Sequence, residues 1–284
     1  MKFWWTACEM YVKSYVARAC PLAPSLRYNP FAMRLDELDG ILRSTLKISD
    51  FNDISLNGVQ VACCPGREIT KVALAVDACQ ASIDAAIEEG AQLLFVHHGL
   101  FWGQPIAVSG IHYKRVKALL DADVGLYACH LPLDAHPVLG NNAQMCLSLG
   151  MKGYDPFGLY HGQYIGFKGE LPFEMDCQEI ARLLGFSVEW GLRILPFGKE
   201  MVRTVGIISG GAADDVHQAM DEGLDCYITG ECSHELYHTL LERGMNMVCG
   251  GHYQSEVFGV KAVGRFLEKE YGLEAVFIDR KTAL

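Results

Sequence analysis

The chain has 284 residues, half of them hydrophobic, enough to bury a sizeable core in one large α/β domain or two α/β halves. A formal net charge of −10 argues against nucleic acid as the main partner, because phosphate binding needs clustered Lys and Arg. Eleven cysteines do not make a disulfide framework in so long a chain; no CxxC pair occurs, Cys129, Cys226 and Cys249 lie in apolar runs, and they read as buried thiols of a cytoplasmic protein.

Residues 1–32 differ in character from the rest of the chain. Phe3-Trp4-Trp5 is apolar, but Glu9, Lys13 and Arg18 interrupt it. Neither the roughly 7–15-residue apolar core of a signal peptide nor the roughly 20-residue run of a membrane span is present. Pro21, Pro24 and Pro30 then punctuate an extended segment. Two readings stay open: a poorly ordered extension from an upstream start codon, or a short helix from Trp4 to Ala19 that docks on the body or on a partner.

The first α/β unit is expected at residues 33–150. Leu35, Leu38, Ile41, Leu42 and Leu46 recur at helical spacing, and Asn57-Gly58 signals a turn before a strand at Val59–Ala62. Lys71–Val76 reads as a strand, Cys79–Glu89 as a helix closed by Gly90, and Gln92–Val96 as a buried strand. That strand runs into His97-His98-Gly99. Neighbouring side chains on a strand point to opposite faces, so both imidazoles reach one site only if the strand stops there, and Gly99 permits the turn. A metal site at the strand's carboxyl end and a pair of histidines in a surface turn fit this stretch equally well. Next come a helix at His112–Asp121 and a strand at Val124–Cys129, ending in His130-Leu131-Pro132-Leu133-Asp134. Asp134 is either a carboxylate able to bridge two cations or a simple turn residue. Asn141 and Asn142 are read as structural, with Asn a natural helix cap.

The arrangement occurs twice. Lys71–Val76 aligns with Thr204–Ser209, Ala85–Gly90 with Gln218–Gly223, and His97-His98 with Gly230-Glu231, without a gap. The strand ending at Cys129-His130 matches the one ending at Cys249-Gly250-Gly251-His252. In each copy polar residues come after the carboxyl ends of strands, where open α/β sheets bind ligands. Residues 151–200 do not repeat and are expected to form a connecting subdomain. It has strands at Tyr164–Phe167 and Phe186–Trp190 and a helix at Asp176–Leu184. The second unit is expected at 201–284, with a strand at Met245–Cys249. His252 and Glu256 stand i, i+4, on one face if a helix begins there, and Val257, Val260, Val263 and Phe266 continue that periodicity.

Five separated stretches together carry a family likeness: Asn57-Gly58-Val59-Gln60-Val61, His97 to Trp102, His130 to Asn142, Thr229-Gly230-Glu231 and Gly251 to Glu256. From Met33 to Ala283 the chain resembles the Nif-three-like dinuclear metal-centre family, often labelled GTP cyclohydrolase 1 type 2 homologues. The resemblance implies two intertwined α/β halves with mixed sheets and a dimetal site between them. It also implies five metal ligands, mapping to His97, His98, Asp134, His252 and Glu256, and a ring-shaped homohexamer.

Three imidazoles and two carboxylates suit two divalent ions of Zn, Fe, Mn or Co, and open coordination positions suit a small-molecule substrate hydrolysed by metal-activated water. Glu231 and His130, after neighbouring strand ends, are the candidate acid–base groups. No Walker-type GxxxxGKS loop is present to clamp a triphosphate. The alternative is a non-enzymatic protein for metal binding, metal delivery or regulatory interaction.

Overall fold

Aliphatic runs with no polar alternation dictate strands buried on both faces. In a computed structural model, which describes residues 32–284, those runs form two mixed sheets. The extension at the start of the chain, and the alternative helix from Trp4 to Ala19, lie outside the described residues.

The first half opens with β1 (Met33–Arg34) and α1 (Leu35–Leu46), whose Leu38, Leu42 and Leu46 are buried at the spacing the sequence shows. Then come β2 (Gly58–Val61), β3 (Glu68–Ile69), β4 (Lys71–Asp77), α2 (Gln80–Glu88), β5 (Leu93–His98), α3 (Gly110–Ala122) and β6 (Gly125–Ala128). A single turn, α4 (Leu131–Asp134), and α5 (Asn141–Ser148) complete it. Strands β4, β5 and β6 are parallel, and β2 closes one edge antiparallel to β6. β1 and β3 form a separate two-stranded ladder.

The second half has β7 (Asp155–Tyr160), β8 (Gln163–Met175), α6 (Cys177–Leu183), β9 (Arg193–Pro196), β10 (Val202–Ile207), α7 (Val216–Asp221), β11 (Cys226–Thr229), α8 (Leu236–Arg243) and β12 (Asn246–Cys249). β10, β11 and β12 are parallel, and β9 lies antiparallel beside β12 as β2 lies beside β6. The repeat therefore extends to its edge strands. β7 and β8 form a hairpin that adds to the free side of β10.

The halves are intertwined by the last two elements. Helix α9 (His252–Tyr271) starts after β12, yet its Val260, Val263 and Leu267 are buried with Leu42, Leu74 and Phe95 of the first half. β13 (Glu274–Phe277) then adds to β4 as the outer strand of the first sheet.

Two local expectations change. Phe186–Trp190 is not a strand: residues Val188–Trp190 form a 3-10 turn, and the edge strand is β9. The side chain of Gln254 explains this, since it accepts from Ser187 N at 3.0 Å and donates to Trp190 O at 2.8 Å. The segment's backbone groups are met by an amide from α9 rather than by a ladder. Gly99, expected to supply a turn, supplies room: a Cβ there would lie 2.4 Å from the Gln60 side-chain amide, whose oxygen accepts from Leu100 N at 2.7 Å.

Because α9 belongs to one half by sequence and to the other by packing, truncating it should unfold both. Leu267 is fully buried. Leu267→Ala is expected to cost about 2–5 kcal/mol in urea unfolding, with a single transition seen by both tyrosine fluorescence and far-UV circular dichroism.

Candidate metal centre

The polar residues after the strand ends meet where the halves join. β5 ends on His97 and His98, the turn α4 ends on Asp134, and α9 begins at His252 and reaches Glu256 one turn later. His97 Nε2 lies 3.4 Å from Asp134 Oδ2 and 3.5 Å from Glu256 Oε1. Glu256 Oε1 is also 3.1 Å from His252 Nε2, and Glu256 Oε2 is 3.3 Å from His98 Nε2. The rings of His97 and His98 stand 4.7 Å apart, and those of His98 and His252 5.4 Å. All five residues expected from the sequence converge. Glu256, rather than Asp134, touches three imidazoles.

Each ring is held from behind. His97 Nδ1 donates to Cys129 O at 2.9 Å, His98 Nδ1 lies 2.9 Å from Asp77 Oδ1, and His252 Nδ1 lies 2.5 Å from Glu231 Oε1. Such partners fix the tautomer and turn Nε2 toward the centre. Asp134 Oδ1 accepts from Asn141 Nδ2 at 2.9 Å and from Ser209 Oγ at 2.8 Å. Gly210 makes the cradle possible: its φ is +69°, and a Cβ there would lie 2.3 Å from Glu256 Oε1.

His97 is fully buried and Glu256 nearly so, and His97 Nε2 and Glu256 Oε2 are buried atoms with no hydrogen-bond partner. Because Cys129 O only accepts, the Nδ1 of His97 carries its proton, and a neutral ring presents a bare lone pair to two carboxylates. Such a constellation can hold a cation between its acceptors. Electrostatics point the same way. Burial favours neutral imidazole, yet Asp134 and Glu256 outweigh it and raise the pKa of His97. Against the same burial, Glu256 and Asp77 push His98 up to about 10, and Glu256 and Glu231 push His252 up to about 9. Burial would raise Glu256, but His97, His98 and His252 hold it well below the usual carboxylate range. Among the described residues, two groups have ligand atoms close enough to hold a metal ion: His98, His252 and Glu256, and His97, His98 and His130.

A family model described as Duf34/NIF3 (NGG1p interacting factor 3) matches residues 33–283. The chain belongs to the DUF34/NIF3 family. Among its relatives are proteins named GTP cyclohydrolase 1 type 2 homolog. The one from Treponema pallidum is 40% identical, with 89% of this chain and 100% of the relative covered, and the one from Archaeoglobus fulgidus is 42% identical with the same coverage. The crystal structure of TTHA1606 from Thermus thermophilus superposes with a TM-score of 0.80 at 38% identity, covering 89% of this chain and 100% of that one.

For this DUF34/NIF3 chain the two candidate acid–base residues part ways. Glu231 stands behind His252 and orients it. His130 lines the cavity in front of the centre, its ring 5.1 Å from that of His97. Sequence reasoning missed the groups that hold these residues. Asp53 takes His130 Nδ1 at 3.0 Å, Leu131 N at 3.0 Å, Ser55 N at 3.0 Å and Asn57 Nδ2 at 2.9 Å. Asp77 and Ser209 had a signal, each being the polar residue at the end of an apolar strand run like those before the histidines; Asp53 had none. Asn141 is no helix cap: Gly140 occupies that position, and the Asn141 side chain accepts from Gly259 N at 2.6 Å while donating to Asp134.

Burial raises the Asp53 carboxyl, but His130 and the other donors bring it from its ordinary 3.8 down to about 2. Its ionised form therefore stabilises the fold fully above the unfolded value, and that contribution is lost as pH falls through about 2. Asp53→Asn should lower stability at neutral pH and flatten the dependence of the urea midpoint on pH on the acid side of about 4, relative to wild type.

Proposed function

We propose that the chain is a dinuclear metal-binding protein that works as a metal-dependent hydrolase of the kind its relatives are named for. The supporting observation is the pair of orphaned buried atoms, His97 Nε2 and Glu256 Oε2. Imidazole nitrogen and carboxylate oxygen are the donors that Zn, Fe, Mn and Co accept. His97, His98, Asp134, His252 and Glu256 would hold two such ions.

When bound, the ions supply Lewis acidity that activates water and polarises the substrate. The chain's own residues do the rest. Asp77, Glu231 and Cys129 O hold the rings in one orientation. Asn141 and Ser209 fix Asp134, so its second oxygen faces His97. His130, with Nδ1 held by Asp53 and its ring facing the cavity, is placed to pass a proton at Nε2. The leaning of Leu131, Ile165 and Ile208 into the cavity limits water beside the centre. A second reading, metal delivery or a regulatory scaffold, is favoured by one observation: among the described residues no Lys or Arg lines the cavity to hold a triphosphate.

Elemental analysis of the purified protein should find two divalent ions per chain, and His97→Ala and Glu256→Ala should each lose at least one. Metal-loaded wild type, incubated with GTP, phosphoesters and cyclic amides, should turn over a member of the panel, and both variants should lower the rate by about a hundredfold or more. Metal binding without turnover on any of them would favour the delivery reading. Homo-oligomerisation into a ring belongs to the same proposal. It is supported by exposed Ile106, Val108, Ile111, Tyr113 and Leu120 on and before α3. Light scattering behind size exclusion should give a multiple of the 31.4 kDa chain.

A further inference from the structure

Helix α9 carries His252 and Glu256 in its opening turns, so whatever holds its start also holds those two side chains. The first N–H groups of a helix have no partner within it, and a side chain at the preceding residue commonly takes one of them. Helix α6 follows that rule: Asp176 accepts from Glu179 N at 2.8 Å. Helix α9 cannot, because its preceding residue, Gly251, has no side chain. Its first amide, His252 N, donates instead to the main-chain oxygen of Leu284 at 2.7 Å.

The segment that brings Leu284 there follows β13. Ile278 N donates to Leu74 O at 2.8 Å and prolongs the pairing of β13 with β4. Residues 279–284 then leave the sheet and are tied to the start of α9 and its surroundings. Tyr253 OH donates to Asp279 Oδ1 at 2.8 Å and accepts from Arg280 N at 2.9 Å. Lys281 Nζ stands 5.2 Å from the centroid of the Trp190 ring, in the turn whose backbone Gln254 holds. The first three residues of α9 are thus all engaged outside the helix, His252 and Tyr253 by the tail and Gln254 by the turn.

Room for the oxygen is built in. Gly191 has φ +109° and Gly251 has φ +94°, conformations that favour glycine. A Cβ at either position would lie 3.3 Å from Leu284 O, and at Gly251 it would also lie 2.4 Å from Trp190 O. The Leu284 side chain is 78% exposed, so the attachment is made by main chain. We propose that residues 281–284 are a positioning segment for the metal centre: their main chain caps α9 and so sets His252 and Glu256 against His98. Without the cap the start of α9 is free to fray, and the bond from His252 Nδ1 to Glu231 is left to orient a ring whose backbone moves. The proposal rests on the metal-centre reading above.

The test compares three proteins: the full chain, the chain ending at Arg280, and Leu284→Ala, which keeps the main-chain oxygen. Each is stripped of metal, loaded with cobalt(II), and followed by its visible absorption and by competition with a chelating indicator. The chain ending at Arg280 should bind cobalt about tenfold more weakly, with a changed absorption spectrum, and Leu284→Ala should match the full chain in both. Unchanged affinity and spectrum after truncation, or Leu284→Ala as weak as the truncation, would overturn the proposal. A full chain that takes up no cobalt would count against the metal-centre reading alone. In that case, or should the truncated chain fail to fold, amide hydrogen exchange of the metal-free full chain decides. Slow exchange at His252 supports the cap, and exchange at the rate of an unstructured amide overturns it.

Discussion

A carboxylate buried among three imidazoles governs this molecule. Glu256 is 3% exposed, and an isolated charge at that depth costs several kcal/mol. What offsets it comes largely from elsewhere: His97 and His98 end a strand of the first sheet, while Glu256 rides on a helix that comes after the last strand of the second. The carboxylate is tolerable only once the two halves are docked, and the helix that carries it is also a wall of the first sheet's core. Packing and charge thus impose the same geometry, and neither half presents a complete set of donors alone.

Around that carboxylate the structure separates holding from acting. Each imidazole gives its Nδ1 to a different partner: a backbone carbonyl for His97, Asp77 for His98 and Glu231 for His252. With the rear nitrogens committed, the three Nε2 atoms have nowhere else to face. Asp134 is treated likewise, one oxygen taken up by Asn141 and Ser209 and the other left toward His97. The outer partners come from β4, α5 and the chain after β10 and β11, so the centre is anchored to both sheets.

Much of this was legible in the sequence, for identifiable reasons. Parallel strands buried on both faces announce themselves as aliphatic runs, and their punctuation recurs in both copies, so the order of elements and the convergence of polar residues at strand ends could be read. Helix α9 was readable because Val257, Val260, Val263 and Phe266 keep its period after His252 and Glu256. Two kinds of feature were not. Phe186–Trp190 has strand composition, but a side-chain amide 64 residues downstream of Trp190 satisfies its backbone, and local pattern carries no trace of that. Asp53 acts through contacts across the fold, to His130 and Leu131, and a lone Asp in a loop looks like any turn residue until its partners are in place.

The duplicated frame has given up its symmetry in a specific way. Where the first copy places His97, the second has Gly230, and a Cβ there would meet Gly210 O at 2.6 Å and Ser255 Oγ at 2.7 Å. The backbone of the second copy fills the space that an imidazole at the corresponding position would need. One repeat contributes donors from a strand end and the other contributes close-fitting main chain, so the doubled architecture does not double the pair of strand-end imidazoles.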